Sequence, residues 1–425
     1  MKVFFETFGC KVNMYETSAM TQLFEKAGYE RTGLLEEADV VVINSCTVTE
    51  NSDRKARAFV RKARSVAPDA VLLLCGCFSQ AFPDKARELS PDILMGTTDR
   101  RDTVKAVQAY LADRAPQDLV HSFNNRSFEP LEAEELVEHT RAFLKIQDGC
   151  EKYCSYCAIP KARGPVRSLP LAEVRRQCEN LAKNGYKEIV LCGINLSAYG
   201  IDLGIDLGDA VLACSEVEKV VRIRLSSLEC DIMTDEMLHK FASCDKFCPQ
   251  FHLSLQSGCD RTLRRMNRHY TSAEYYAICE KIRALFQNPT FTTDIIVGFP
   301  GETDEDFNES VDFCRRVGFL RAHVFPYSRR RGTMADNLPD QIPRAEKERR
   351  SRIMISNMKE RSSDILNEFI GKNVRVILEQ SDGNGYSGYS DRYLPCRVYG
   401  DQLEPHQVVE GTVETIRHGE AVIHL

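Results

Sequence analysis

Gly149-Cys150-Glu151-Lys152-Tyr153-Cys154-Ser155-Tyr156-Cys157 sets three thiols within eight residues, spaced C-x3-C-x2-C. Soft thiolates crowded this closely suit an iron-sulfur cluster. A structural zinc needs four ligands, and no fourth Cys or His lies nearby, so zinc or plain buried cysteines are the competing readings. Three protein ligands on a 4Fe-4S cluster leave one iron open to a small molecule. A second set is dispersed: Cys10, Cys46 and Cys77 each follow a small residue, Gly9, Ser45 or Gly76, at the end of an apolar run. Their separations, 36 and 31 residues, each match one βα unit. Ligands of open α/β sheets bind at strand carboxyl ends, so this spacing predicts that the three thiols converge on a second cluster. Three cysteines packed as small hydrophobes is the competing reading. Cys75 competes with Cys77, but only Cys77 follows a small residue. The remaining cysteines, including Cys244 and Cys248 at i, i+4, lack ligand spacing and read as free thiols.

Those thiols need elements to position them. From Met1 to about Leu119, strand-like runs (Lys2 to Phe8, Ala38 to Ser45, Ala70 to Leu74) alternate with helical periods (Glu16 to Gly28, Asp53 to Val66, Gln80 to Leu89), which predicts a parallel βαβ sheet. A linker rich in acids and loop formers follows, at 120–139. Alternation then restarts with strands Ala142 to Gln147, Glu188 to Cys192, Val220 to Leu225, Phe251 to Leu255, Phe291 to Val297 and Ala322 to Phe325. Helices Leu171 to Asn184, Asp235 to Phe241, Ser272 to Phe286 and Glu305 to Val317 lie between most of them. Six βα-type strands predict a partial or full β/α barrel with ligands at the strand carboxyl ends; a doubly wound sheet is the alternative. After a charged helix, Arg344 to Phe369, short β runs broken by Gly383, Gly385, Gly388 and Gly400 predict a small antiparallel β-barrel of about five strands. The fold class is therefore α/β with units at 1–119, 140–364 and 365–425. A length of 425 residues accommodates about three domains. The 17 cysteines are odd in number and too sparse for a secreted disulfide scaffold. Met1 to Glu6 reads as a first strand rather than a signal peptide, and no apolar run is long enough to span a membrane. A reducing cytoplasm is the expected compartment.

The C-x3-C-x2-C run with Tyr156 before its last cysteine resembles the radical S-adenosylmethionine (SAM) superfamily. With Cys10, Cys46 and Cys77 beside it, the whole chain resembles the methylthiotransferases, which carry an auxiliary cluster domain, a partial TIM-like barrel and a β domain of the TRAM type. Thr7-Phe8-Gly9-Cys10-Lys11-Val12-Asn13, the segment Thr140 to Cys150, Ala158-Ile159-Pro160, Arg163-Gly164 and Arg167-Ser168 resemble the branch acting on threonylcarbamoyladenosine in tRNA. The resemblance implies two 4Fe-4S clusters, ligated by Cys10, Cys46 and Cys77 and by Cys150, Cys154 and Cys157. It implies that one SAM donates a methyl to a sulfur on the auxiliary cluster while a second is cleaved to a radical that activates C2 of the adenine. The net result is C–H replaced by C–SCH3. No catalytic residue beyond the cluster ligands is assigned. Strand-end stretches in relatives approach SAM, which points to Gly193, Ser257 and Asp294; Gly298, Pro300 and Gly301 fit either that role or a tight turn. An electron donor and a sulfur source outside the chain are implied.

Net charge is −6, so the molecule as a whole does not advertise nucleic-acid binding. Locally, residues 321–361 hold 11 basic against 5 acidic residues and residues 141–176 hold 8 against 3. Basic stretches bordering a barrel mouth suit phosphate contacts, with a solvated helix face at Arg344 to Arg361 as the competing reading. Residues 365–425 carry 5 basic and 9 acidic residues, which sets the last unit apart from an RNA-binding role. The expected partner is tRNA. The alternatives are methylthiolation of isopentenyladenosine in tRNA or of an aspartate in a ribosomal protein. A two-cluster electron carrier is the non-catalytic alternative, but carriers normally fill all four iron positions with protein ligands.

Overall fold

The computed structural model describes residues 1–123, 127–133 and 140–425. The first unit is a six-stranded parallel sheet in the order Glu30–Arg31, Lys2–Thr7, Val40–Ser45, Val71–Gly76, Ile93–Met95, Gln117–Leu119. Its central strands, VVVINS and VLLLCG, are buried along their whole length, as near-continuous apolar runs covered by helices on both faces should be. Register aligns Thr7 with Asn44 and Ser45 with Gly76, so three adjacent strands end flush. The predicted helix Gln80 to Leu89 is instead two short helices, Cys77–Ala81 and Pro83–Arg87, because Pro83 cannot continue the first and starts the second. Helix Thr103–Asp113 and the three-residue strands Ile93–Met95 and Gln117–Leu119 were not anticipated; runs this short carry little periodicity.

Of the expected linker, 124–126 and 134–139 lie outside the described residues. Residues 127–133 are not free chain: Phe128, Leu131 and Ala133 are buried in the main core of the second unit.

In that unit, parallel strands Ala142–Lys145, Glu188–Cys192, Arg222–Leu225, Gln250–Leu253, Thr290–Val297 and Arg321–Pro326 follow one another in chain order. The third is interrupted at Ser226 and continues as Ser227–Leu228, which pairs onward to Gln250–Leu253. Strand order without reversal excludes the doubly wound sheet. Among the described residues the first and last strands are not joined, so the barrel is partial. Alternate residues divide its faces: Ala142, Leu144, Ile189, Leu191, Ile223, Leu225, Phe251 and Ile295 pack outward in the core under the helices. The opposite face, toward the lumen, carries Phe143, Arg224, His252, Asp294 and His323.

Helix Arg344–Asn367 leads to the last unit. This is a curled six-stranded sheet, a half-barrel with edges at Val408–Thr412 and Thr415–Arg417, in line with the small antiparallel barrel of about five strands expected. All its pairings are antiparallel except Pro395–Tyr399 with Glu420–His424. The extra strand, Tyr386–Ser390, hides behind glycines that read as breakers; a Cβ on Gly388 would lie 2.2 Å from the Ile377 carbonyl, so that strand needs glycine there. The sheet closes the barrel floor: Arg222 Nη1 donates to Arg375 O at 2.9 Å and Arg224 Nη2 to Ser390 O at 3.0 Å. Among the described residues no helix is long and apolar enough to cross a membrane.

Candidate active site

The flush strand ends bring the dispersed cysteines together. Cys10 caps helix Lys11–Lys26, Cys46 follows Ser45, and Cys77 opens helix Cys77–Ala81. A Cβ on Gly9 would sit 2.8 Å from Cys46 Sγ, so only glycine lets these two turns touch. Gly76, at φ +101°, makes the matching turn before Cys77. Burial pushes the Cys46 thiol up to about 12, with the neighbouring Cys77 and Cys10 adding to the rise. Cys77 is also raised by burial, which the adjacent Arg163 guanidinium opposes. Cys75 points to the other face of its strand and is packed with Val42, Leu73 and Met95 in the apolar core.

The compact triad is held differently. Gly149 turns the chain at φ +80°, where any Cβ would lie 1.7 Å from Pro165 O. Cys150 N donates to Gly164 O at 3.0 Å and Ser155 N to Met266 O at 2.9 Å, while Ala335 N donates to Ser155 O at 2.8 Å. Burial raises Cys150 to about 11 and Cys157 to about 12, with Cys154 adding to both. Arg268 Nη1 donates to Cys154 Sγ at 3.2 Å and also binds Glu229 at the end of the third barrel strand. Tyr156 lies edge-on to Phe299, centroids 6.4 Å apart, locking the loop onto an apolar cluster with Met266 and Tyr327.

A buried ion network joins the first unit to the barrel beside Cys77. Arg163, six residues beyond Cys157, donates Nε to Cys77 Sγ at 3.2 Å, Nη1 to Glu16 at 2.5 Å and Nη2 to Asn13 at 2.7 Å. Lys145 Nζ bridges Glu16 at 2.7 Å and Asp148 at 2.6 Å; Arg100 reaches Glu16 at 3.1 Å and Arg167 reaches Asp148 at 3.8 Å. Burial alone would raise the Glu16 carboxyl, but Arg100, Arg163 and Lys145 hold it down to about 2. Lys145 and Arg163 likewise hold Asp148 below the usual carboxylate range against its burial. Four cations thus surround Glu16 and Asp148 beside Cys77. This surplus positive charge suits an anionic thiolate cluster, and with three converging soft donors at each triad the residues fit two such groups. Sequence reasoning did not single out Glu16, Lys145 or Arg268; the available signal was a lone lysine inside the apolar run Ala142 to Ile146.

The strand-end residues expected near SAM are spread around the barrel mouth. Gly193 abuts Gln147, whose Cβ a side chain would meet at 2.8 Å. Ser257 is buried and accepts from Cys259 N at 3.2 Å, and Asp294 Oδ2 lies 3.4 Å from His252 Nε2. Two buried polar atoms at this rim, Asn195 Oδ1 and Ser226 Oγ, have no hydrogen-bond partner, as residues facing a polar ligand should. Gly298 and Gly301, with φ of +68° and +73°, form a turn closed by Gly298 N to Glu302 Oε1 at 2.9 Å. Outside the mouth, a cleft of about 610 Å³ separates helix Glu50–Val66 from the chain after the last barrel strand; Arg54, Arg57, Arg329, Arg344 and Lys347 line it.

The Radical SAM superfamily pattern matches residues 144–314, and that of a family described as uncharacterized protein family UPF0004 matches residues 2–96. The chain is 38% identical over 410 residues to the threonylcarbamoyladenosine tRNA methylthiotransferase MtaB of Bacillus subtilis, covering 94% of this chain and 91% of that protein. It is 35% identical to MtaB of Thermotoga maritima, covering 95% and 93%. A tRNA-2-methylthio-N(6)-dimethylallyladenosine synthase of Clostridium perfringens is 32% identical, covering 89% and 86%. Among solved structures, the radical SAM methyltransferase TsrM of Kitasatospora setae superposes with a TM-score of 0.57 at 14% identity, covering 76% of this chain and 74% of that one, a likeness of fold.

Proposed function

This chain belongs to the radical SAM tRNA methylthiotransferase family, and from that premise we propose that it adds a methylthio group to C2 of N6-threonylcarbamoyladenosine in tRNA, in the cytoplasm. Family membership brings a 4Fe-4S cluster with SAM and a second, auxiliary cluster. When bound, these groups supply a carbon radical from SAM at one site and a methylated sulfur at the other. Cys150, Cys154 and Cys157 would hold the first cluster, and Cys10, Cys46 and Cys77 the second. Asn195 and Ser226 offer their unpaired oxygens to SAM, and Gly193, Ser257 and Asp294 shape the rim around it. Arg268 donates to Cys154 and Arg163 to Cys77, which orients both sulfurs, and the Arg163 charge opposes the burial that raises the Cys77 thiol. The division of labour follows three units: 1–119 for the auxiliary cluster, 140–364 for the barrel, and 365–425 closing the barrel floor.

The observation that carries this reading is the pair of three-thiol sets on two different sheets, with Arg163 of the barrel unit bound to Cys77 and Glu16 of the first. Three ligands per set leave room for SAM at one cluster and sulfur at the other, which an electron carrier does not need. The basic lining of the cleft beside the mouth suits a phosphate backbone better than the acidic terminal sheet does. Electrons and sulfur come from donors outside the chain. The higher identity to proteins named for threonylcarbamoyladenosine favours that nucleoside over the dimethylallyl one.

Nucleoside mass spectrometry of tRNA from cells with and without this protein tests the assignment. The 2-methylthio form of threonylcarbamoyladenosine disappears on deletion and returns with the gene; its persistence in a strain with no second such enzyme contradicts it.

A further inference from the structure

The barrel lumen carries charge that the cluster chemistry does not use. Its acids are already engaged: Glu188 is bound by Arg222 and by Arg224 at 2.8 Å, with Arg141 at 3.4 Å, and Asp294 faces His252. Two cations at this space have no carboxylate partner among the described residues. Lys11, next to Cys10, extends its ammonium to 6.0 Å from the Phe143 ring and lies within electrostatic range of Cys192, Arg224 and Glu188. Its side chain is exposed to solvent. Arg321, on the last barrel strand, lies over the Tyr393 ring at 5.8 Å. Further along the same face of that strand His323 and Phe325 stack, centroids 6.4 Å apart and planes 25° apart, and Phe325 is 45% exposed. Arg141, two residues before Phe143 in the chain, lies over the same Tyr393 ring as Arg321, at 5.9 Å, so the lysine beside Phe143 and the arginine over Tyr393 face one lumen.

Resting on the threonylcarbamoyladenosine reading above, we propose that Lys11 and Arg321 form an anion subsite for the carboxylate of the amino-acid substituent on N6, with His323 and Phe325 as the surface on which the modified base stacks. Stacking on exposed aromatic rings holds an unpaired base without reading its sequence. An unpaired cation in a partly desolvated lumen gains more from a carboxylate than from water, whereas a neutral substituent leaves both charges uncompensated. Lys11 would therefore be a specificity residue, placed one position from a thiol of the auxiliary set so that recognition of the N6 group and delivery at C2 share one turn of chain.

The test uses the reconstituted full-length enzyme and two anticodon stem-loop RNAs, one bearing threonylcarbamoyladenosine and one with its carboxylate converted to the primary amide. Wild type favours the acid over the amide by about tenfold or more in kcat/KM. Lys11→Met loses that preference by slowing on the acid alone, Lys11→Arg restores it, and Arg321→Met, far in sequence from any cysteine, shows the same selective loss. Iron content and the reduced-cluster EPR signal of each variant serve as folding controls. Equal rates of wild type on acid and amide overturn the subsite while leaving the methylthiotransferase reading intact. Equal slowing of Lys11→Met and Arg321→Met on both RNAs also overturns it. Activity on isopentenyladenosine RNA alone overturns the substrate reading and the subsite together.

Discussion

The two thiol sets are built by opposite means. Cys150, Cys154 and Cys157 lie within eight residues, and their loop is shaped locally by Gly149 and clamped by Met266, Arg268 and Ala335. Cys10, Cys46 and Cys77 are spread over 68 residues and meet only because three parallel strands end in register. A local set depends on a few contacts that can be broken singly. A dispersed set depends on the sheet, so it is as robust as the core beneath it. Arg163, from the barrel unit, reaches across to Cys77 and Glu16 of the first unit, so the dispersed set is packed against the chain that follows the compact one.

Breaking the local set has the largest expected effect. Cys154→Ala abolishes SAM cleavage, and the iron content after anaerobic reconstitution falls from about eight per chain to about four. Next is the network between the sets. Glu16→Gln leaves Arg163, Arg100 and Lys145 as buried cations without their shared partner, a change that costs about 3–5 kcal/mol in denaturant unfolding. Its pH signature has a definite sign. The folded Glu16 carboxyl is depressed from 4.5 to about 2, so its stabilisation is full above pH ~4.5 and lost as pH falls toward 2. Glu16→Gln flattens that part of the acid limb, and an unchanged acid limb would place the network's stabilisation elsewhere.

Glycine substitutions sharpen the contrast between the sets. Gly149→Ala drives a Cβ into Pro165 O and distorts only the loop of the compact triad, whereas Gly76→Ala meets Ser45 O at 2.4 Å inside the sheet itself. Iron and melting curves therefore separate them: Gly149→Ala loses iron with little change in Tm, and Gly76→Ala loses iron and Tm together. The smallest effect is at the basic cleft. Arg54→Ala with Arg57→Ala lowers the slope of log affinity for tRNA against log salt by about two, read by filter binding across salt concentrations, with SAM cleavage unaltered.

Much of the first sheet, the barrel and both thiol sets was legible because each has a strong local signal: apolar runs of five or six residues, helical periods, and cysteines at fixed offsets. The strand Tyr386–Ser390 was not, because Gly388 serves a close backbone approach that sequence cannot distinguish from a turn. Glu16 and Lys145 looked like ordinary helix and strand charges, and only the approach of two units buries them against each other. Around the barrel mouth, Gly193 packs against Gln147 and Ser257 caps a turn at Cys259, while the unpaired oxygens belong to Asn195 and Ser226, which lie in the expected strand-end stretches but which only their burial sets apart from the polar residues beside them.

The separation of the two sets is tested most directly by one preparation, the triple variant Cys10→Ala, Cys46→Ala, Cys77→Ala, assayed in parallel for 5′-deoxyadenosine and for methylthiolated nucleoside. The account predicts about four irons per chain, SAM cleavage retained and no methylthio product. Loss of SAM cleavage in a variant that keeps its fold and its remaining iron would contradict it.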